Sequence, residues 1–205
     1  MSLEDTMGKS VVHTSPNELK NRLYSYNVGH NFGQYIVSGR EIRDKFISDI
    51  TKLFSEMPVG GKLLIDFNGV VAVGLVVTRE ALSQLSIDIK KKRKIFGGKY
   101  LIVKDPGEDV KVVLEHVTKE YRCSLVVYYK DSNRYEVLSL PHYLRSAIDL
   151  IDRHGSLTSR EMSELLPDKP VTEYLRQLHR RRLVERTPVD SGYGRVVFKY
   201  TTVRL

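Results

Sequence analysis

In the first two thirds of the chain, segments whose apolar residues recur at helical spacing alternate with short continuous apolar runs. The clearest helical stripe lies in residues 39–56, where apolar side chains recur at steps of three and four. Its members are Ile42, Phe46, Ile50, Leu53 and Phe54. Residues 63–67 are almost wholly apolar, which is typical of a central strand covered on both faces. The pattern therefore predicts a helix that leads into a buried strand.

The same alternation of helix and strand signals continues to residue 138. Strands that alternate with helices pair in parallel, with the helices packed on the sheet. This part of the chain is therefore predicted to be an α/β domain. Its other predicted elements are helices over residues 16–26 and 76–94 and around residues 110–117, and strands over residues 32–37, 99–104, 123–129 and 135–138.

A different order of elements begins at residue 140. Gly155 is placed to end a first helix, and the spacing of Thr158 and Glu161 predicts a capping box at the start of a second. A third helix and a hairpin with a turn-rich loop follow. Three helices and then a hairpin are the plan of a winged helix. The predicted elements are helices over residues 141–154 and 158–166, a helix that starts after Pro170, and strands over residues 183–187 and 195–200.

The composition adds a basic balance that favours polyanionic partners. The chain of 205 residues carries 33 Lys and Arg against 25 Asp and Glu, a net charge of +8 at pH 7. Residues 141–205 hold twelve basic and eight acidic residues, so the excess is enriched there. Cys123 is the only cysteine, which excludes a disulfide framework and a cysteine metal site within one chain. Without a long apolar stretch or a signal-peptide pattern, we expect a cytoplasmic protein with no membrane partner.

Residues 64–74, with the sequence LIDFNGVVAVG, are similar to the strand–turn–helix signature of the STAS superfamily, to which anti-sigma-factor antagonists belong. Residues 32–41 resemble a STAS-like branch of unknown function, and the resemblance extends over residues 32–138. In regulatory antagonists the loop carries a phosphorylatable serine. The matching positions here are Gly74, Leu75 and Val76, so no phosphate switch is expected at this loop.

The glycines of the same segment support a simpler interpretation as well. Gly69 and Gly74 allow a tight turn between a buried strand and a helix, which by itself predicts no chemistry. The alternative is a ligand site, because open α/β sheets bind ligands at the carboxyl ends of strands and at helix N-termini. The basic run at residues 90–94 is interpreted as a solvated helix end, with a second nucleic-acid contact as the alternative.

Residues 140–202 resemble the winged-helix regulators of bacteria and archaea, through the segments LTSREMSELL and YLRQLHRRRLVER. The resemblance implies that the third helix enters the major groove and that the hairpin flanks it. Arg176 and Gln177 are the expected readers of guanine and adenine, whereas Glu173 on the same face opposes phosphate. Arg180, Arg181 and Arg182 are expected to meet phosphate or cap the helix. The predicted DNA contacts are Lys169, Thr172, Arg176, Gln177, Arg180, Tyr193, Arg195 and Lys199.

The sequence therefore predicts an N-terminal STAS-like α/β domain with a mixed sheet, followed by an α+β winged helix-turn-helix domain. The predicted boundaries are residues 1–31 for a helical extension, 32–139 for the STAS-like domain and 140–205 for the winged helix. The predicted function is a regulator that binds double-stranded DNA, in which the STAS-like domain dimerises, senses a ligand or docks a protein. The alternative is a protein-interaction adaptor. An enzyme, a cofactor and a metal are not expected, since no nucleophile–base pair, metal cluster or phosphate loop emerges.

Overall fold

A computed structural model of the chain describes residues 23–36, 39–74, 79, 81, 82, 85, 98–190 and 196–205. These residues form a mixed α/β fold. The strands are β1 (Leu23–Asn27), β2 (Tyr35–Ile36), β3 (Lys62–Asp66), β4 (Ala72–Val73), β5 (Tyr100–Lys104), β6 (Leu125–Tyr129), β7 (Arg134–Leu138), β8 (Leu157–Thr158), β9 (Val184–Asp190) and β10 (Val196–Thr202). The helices are α1 (Val28–Phe32), α2 (Arg40–Glu56), α3 (Glu108–Glu120), α4 (His142–His154), α5 (Ser159–Leu165) and α6 (Val171–Arg180).

The main sheet has five strands in the order β1-β3-β5-β6-β7. The first four are parallel, with Ile65 opposite Val103 and Val103 opposite Val127. β7 is antiparallel to β6, because a turn of four residues between them leaves no room for a crossover helix. The predicted mixed sheet is therefore confirmed.

All described helices of residues 23–139 that pack on this sheet lie on one face. Each parallel step moves one position in the same direction, and right-handed crossovers then place every connecting helix on the same side. The helix predicted over residues 76–94 falls mostly outside the described residues, although Arg79, Ala81, Leu82 and Leu85 are helical. The core on this face contains Phe46, Ile50 and Phe54 of α2, Leu82 and Leu85, Val110 and Leu114 of α3, and Leu63, Ile65, Leu101, Val103, Leu125 and Val127 of the strands.

The opposite face of the sheet is covered by residues 140–205, which we call the C-terminal module. The alternate strand residues Leu64, Tyr100, Ile102 and Val126 form one hydrophobic core with its helices and hairpin. We call this layer the module interface. The buried residues that the C-terminal module contributes to this core are Leu140, Leu144, Ala147, Ile148, Ile151, Leu157, Met162, Val171, Leu175, Leu178, Leu183, Val184 and Val203. The second face of the apolar strands is thus covered by the segment that the sequence predicts to be a separate domain.

Polar contacts seal the edge of the module interface. Lys62 on β3 forms an ion pair of 2.7 Å with Glu185 on β9. The backbone N–H of Leu205 donates to the hydroxyl of Tyr135 on β7 at 3.0 Å. Arg204 stacks over the Tyr135 ring, 5.0 Å from its centroid. These contacts fix the chain end against the sheet.

The described residues near the N-terminus correct two predictions. The helix predicted over residues 16–26 is wrong for residues 23–26, which belong to edge strand β1, while residues 16–22 lie outside the described residues. Pairing with β3 buries Tyr26, whose ring packs edge-on against Phe46 at 5.8 Å. Of the strand predicted over residues 32–37, the described residues 32–36 form a strand at Tyr35–Ile36 only, because Phe32 ends a short helix capped by the Asn27 side chain. Residue 37 lies outside the described residues.

The C-terminal module contains α4, α5, α6 and a three-stranded antiparallel sheet in the order β8-β10-β9. The capping box is confirmed, since the Thr158 hydroxyl accepts from the Glu161 N–H and the Glu161 carboxylate accepts from the Thr158 N–H. Gly155 ends α4 with a left-handed φ of 74°, as predicted. Among the described helices, none combines the length and the apolar composition that a membrane span requires.

Candidate nucleic-acid interface

Helix α6 has one buried side and one exposed side. Val171, Leu175 and Leu178 are buried in the core of the C-terminal module. Their spacing of four and three residues puts them on a single stripe, which pins the helix to the module. Thr172, Arg176 and Arg180 are exposed. The helix therefore presents hydroxyl and guanidinium groups to solvent on a fixed backbone.

The structure brings five of the eight predicted DNA contacts together at α6. Lys169 is exposed just before the helix, and Thr172 lies on its first turn, with its hydroxyl 3.5 Å from that of Ser159 on α5. Arg176 and Arg180 are exposed, and Gln177 is half-buried. Three of the five carry a positive charge. They form the α6 face, which we define as Lys169, Thr172, Arg176, Gln177 and Arg180.

Glu173 connects two members of the α6 face. The Arg176 Nε donates to Oε2 of Glu173 at 2.6 Å, and the Gln177 Nε2 donates to its Oε1 at 2.9 Å. The bonds from Gln177 and then Arg176 favour the carboxylate and hold the pKa of Glu173 below its ordinary value. Glu173 thus stays ionised and offsets the charge of Arg176. Its predicted opposition to phosphate stays a prediction.

Tyr143 joins this network from a different helix, and the sequence did not single it out. It lies on the first turn of α4, 45% exposed, and its hydroxyl donates to the Gln177 Oε1 at 2.5 Å. Its ring lies 5.8 Å from that of Tyr174 on α6. The available signal was an aromatic residue just outside the apolar stripe of α4, which does not specify a partner 34 residues away.

Of the three DNA contacts predicted on the hairpin, Lys199 alone lies among the described residues. Tyr193 and Arg195 lie outside the described residues. Lys199 is half-buried and sits opposite Thr158 of β8 in the sheet register, at the start of α5. Arg186 on β9, which the sequence did not single out, is exposed and stacks over the Phe198 ring, 3.4 Å from its centroid. Cation–π stacking restrains this guanidinium, so Arg186 is the described hairpin cation best placed for an anionic partner.

The arginine run that ends α6 divides between two surfaces. Arg180 is exposed, whereas Arg181 and Arg182 are half-buried. Arg181 donates through Nη1 to the Ser124 hydroxyl at 3.2 Å and to the Arg122 carbonyl at 3.4 Å. Arg181 stands at the C-cap position of α6, and its side chain ties the helix to the turn between α3 and β6. Contact of Arg181 with phosphate stays a prediction.

A second cluster of polar residues lies at the edge of the main sheet where the parallel strands end. Lys104 at the end of β5 forms an ion pair of 2.6 Å with Asp66 at the end of β3, and Asp66 also accepts from the Asn68 N–H at 2.9 Å. Gly69 follows with a left-handed φ of 78°, which confirms its predicted turn. Burial lowers the pKa of Lys104, but the bonds and negative charges of Asp66 and Asp105 together outweigh it, so the pKa is raised. These charges neutralise each other, which fits a structural role for the turn.

Comparisons of the chain with protein-family models, with curated proteins and with solved structures find no match. Within the described part of the chain, no group of three or more His, Cys, Asp or Glu side chains is arranged to hold a metal ion.

Proposed function

We propose that this protein is a regulator that binds double-stranded DNA by placing α6 in the major groove. The observation that carries the proposal is the α6 face, in which Arg176 and Arg180 project from a helix pinned on its other side and Lys169 is exposed just before that helix. An α-helix fits the major groove of B-DNA, and basic side chains neutralise the phosphates on either side. The order of three helices and a hairpin supports a winged-helix arrangement.

The side chains of the α6 face divide by chemistry. Lys169 and Arg180 lie at the two ends of α6, which suits them to phosphates on opposite walls of the groove. Arg176 suits the two acceptors of guanine, and Gln177 suits the acceptor and donor of adenine. Arg186 on the hairpin supplies a further cation. The α/β part of the chain, in its STAS-like interpretation, is proposed to dimerise, sense a ligand or dock a protein.

One observation favours protein docking as a second candidate function. Glu173 offsets the charge of Arg176, and the exposed ring of Tyr143 lies beside them. A surface that combines a neutralised arginine, an amide and an aromatic ring is also suited to a protein partner. In this case the chain has no affinity for duplex DNA.

The test is binding of the full chain to a short random-sequence duplex across a range of salt concentrations. We expect affinity to fall steeply with salt, and the triple variant Lys169→Gln, Arg176→Gln, Arg180→Gln to flatten the log–log slope by about two to three. The matched control removes three exposed cations of the α/β part, by Arg40→Gln, Lys52→Gln and Lys130→Gln. No binding at low salt, or equal effects of the two triple variants, would contradict the proposal.

A further inference from the structure

We infer that Tyr143 is a positioning residue that fixes the amide of Gln177 in the orientation for adenine recognition. The inference rests on the proposed function, since it concerns which base the α6 face selects. Tyr143 belongs to α4, so a helix outside the predicted reading helix helps to set its specificity. Its only polar contact in the described part of the chain is the bond to Gln177.

The network leaves one possible orientation of the Gln177 amide. An ionised carboxylate only accepts hydrogen bonds, so the NH₂ group of Gln177 must face Glu173. The amide oxygen then faces Tyr143, whose hydroxyl must donate. Rotating the amide by half a turn would place its oxygen against the Glu173 carboxylate. Glu173 on α6 and Tyr143 on α4 thus hold the plane of the amide from both sides.

The oxygen and the NH₂ group of the Gln177 amide each keep the capacity for one more hydrogen bond. An amide oxygen accepts two hydrogen bonds and an NH₂ group donates two, and the network uses one of each. What remains is one acceptor beside one donor, the complement of the N6 and N7 edge of adenine. Guanine presents two acceptors at the same edge, so a fixed acceptor opposes its O6. The arrangement therefore selects adenine over guanine.

The hydroxyl of Tyr143 is itself held in place. The next residue, Leu144, is fully buried, and Ala147 follows on the same side of α4. The ring of Tyr143 packs at a tilt on Tyr174, which restricts its rotation. Tyr174, whose ring contacts that of Tyr143, carries the same phenol hydroxyl. Within the described residues, this hydroxyl makes no hydrogen bond. Tyr174 therefore offers a matched control for loss of a phenol hydroxyl.

The experiment uses the full chain and a duplex set built on a site selected by the native protein from a random pool. Gln177→Ala first identifies the base pair whose preference depends on Gln177. At that pair we expect Tyr143→Phe to reduce the preference for adenine over guanine about fivefold, the effect of one hydrogen bond. We expect Tyr174→Phe to leave it unchanged, and the two tyrosine variants to keep the native salt dependence on random duplex.

The outcomes separate this inference from the proposed function. A chain without affinity for duplex DNA overturns both. Normal DNA binding with a preference that Tyr143→Phe leaves intact, or that Tyr174→Phe reduces equally, overturns the role of Tyr143 alone. So does a Gln177→Ala variant with native preference at every base pair.

Discussion

Glu173 is the residue that most directly limits the basic character of the α6 face. It accepts from both Arg176 and Gln177, and its carboxylate would approach the DNA phosphates together with them. Glu173→Gln removes this charge and keeps a side chain of similar shape. We expect it to tighten binding to random duplex about threefold to tenfold at low salt, because one repulsive charge is lost. Fluorescence anisotropy titrations measure the change.

The control for Glu173→Gln is Glu120→Gln. Glu120 forms an ion pair of 2.8 Å with Arg79 in the α/β part of the chain, so its substitution makes the same change in net charge away from α6. We expect a change in affinity of less than about twofold. If the two variants increase affinity equally, net charge rather than the position of Glu173 explains the result.

Sequence and structure agree on the residues of α6 and differ on those that reach it from elsewhere. The stripe of Val171, Leu175 and Leu178 determines which side of the helix is exposed, so the exposure of Arg176 and Arg180 could be predicted. The bond from Tyr143 to Gln177 joins residues 34 positions apart. Such a contact depends on how two helices pack, which periodicity alone does not determine.

At the scale of elements, the capping box of α5 is a local device that the sequence predicted. Thr158→Ala removes the hydroxyl that accepts from the Glu161 N–H at 3.2 Å. We expect a loss of about 1 kcal/mol in the free energy of unfolding, because a helix-terminal N–H loses its partner. Urea denaturation measures it, with Ser146→Ala on the exposed side of α4 as the control. Equal stability of Thr158→Ala and the native chain would contradict a stabilising cap.

Strand β1 illustrates why another element was mispredicted. Spacing of leucines at four residues and a proline-led start favoured a helix over residues 16–26. The described part of that segment instead pairs in register with β3, from Leu23 opposite Lys62 to Tyr26 opposite Ile65. A strand at a sheet edge gains its backbone partners from a distant segment. Pairing of this kind overrides weak local propensity.

At the scale of the whole molecule, the α/β part and the C-terminal module share one core. Ile102 on the central strand β5 is fully buried in it. Ile102→Ala should reduce the free energy of unfolding by about 2–5 kcal/mol. We expect a single transition in calorimetry, shifted as a whole, because the loss affects both parts. Two separate transitions, with only one displaced, would contradict a shared core.

Tyr100 makes the module interface sensitive to alkaline pH. Burial, with a contribution from the charge of Glu185, raises the pKa of Tyr100 to about 12. Since the folded pKa lies above the ordinary value of 10.0, the stability it represents is complete below pH 10 and is lost as pH rises toward 12. Between pH 10 and pH 12 the native chain should therefore lose roughly 2 kcal/mol of unfolding free energy that the Tyr100→Phe variant keeps, because phenylalanine does not ionise. Parallel pH profiles for the two proteins would contradict the prediction.

The shared core could not be predicted from the sequence, for a physical reason. The apolar run of residues 63–67 indicates that both faces of β3 are covered, but not by what. A sheet wound in one direction has its own helices on one face only, so the C-terminal module supplies the other layer. The proposed DNA-binding helix is consequently held against the α/β part, through the shared core and through the bonds of Arg181 to the turn between α3 and β6.

The central claim, that α6 recognises duplex DNA, is tested most directly by selection from a random duplex pool with the full chain. We predict enrichment of a short motif, and loss of the preference for one guanine in the motif when Arg176→Ala is used instead. An inverted repeat would indicate binding as a homodimer. A pool that keeps its starting composition through repeated rounds would contradict the claim.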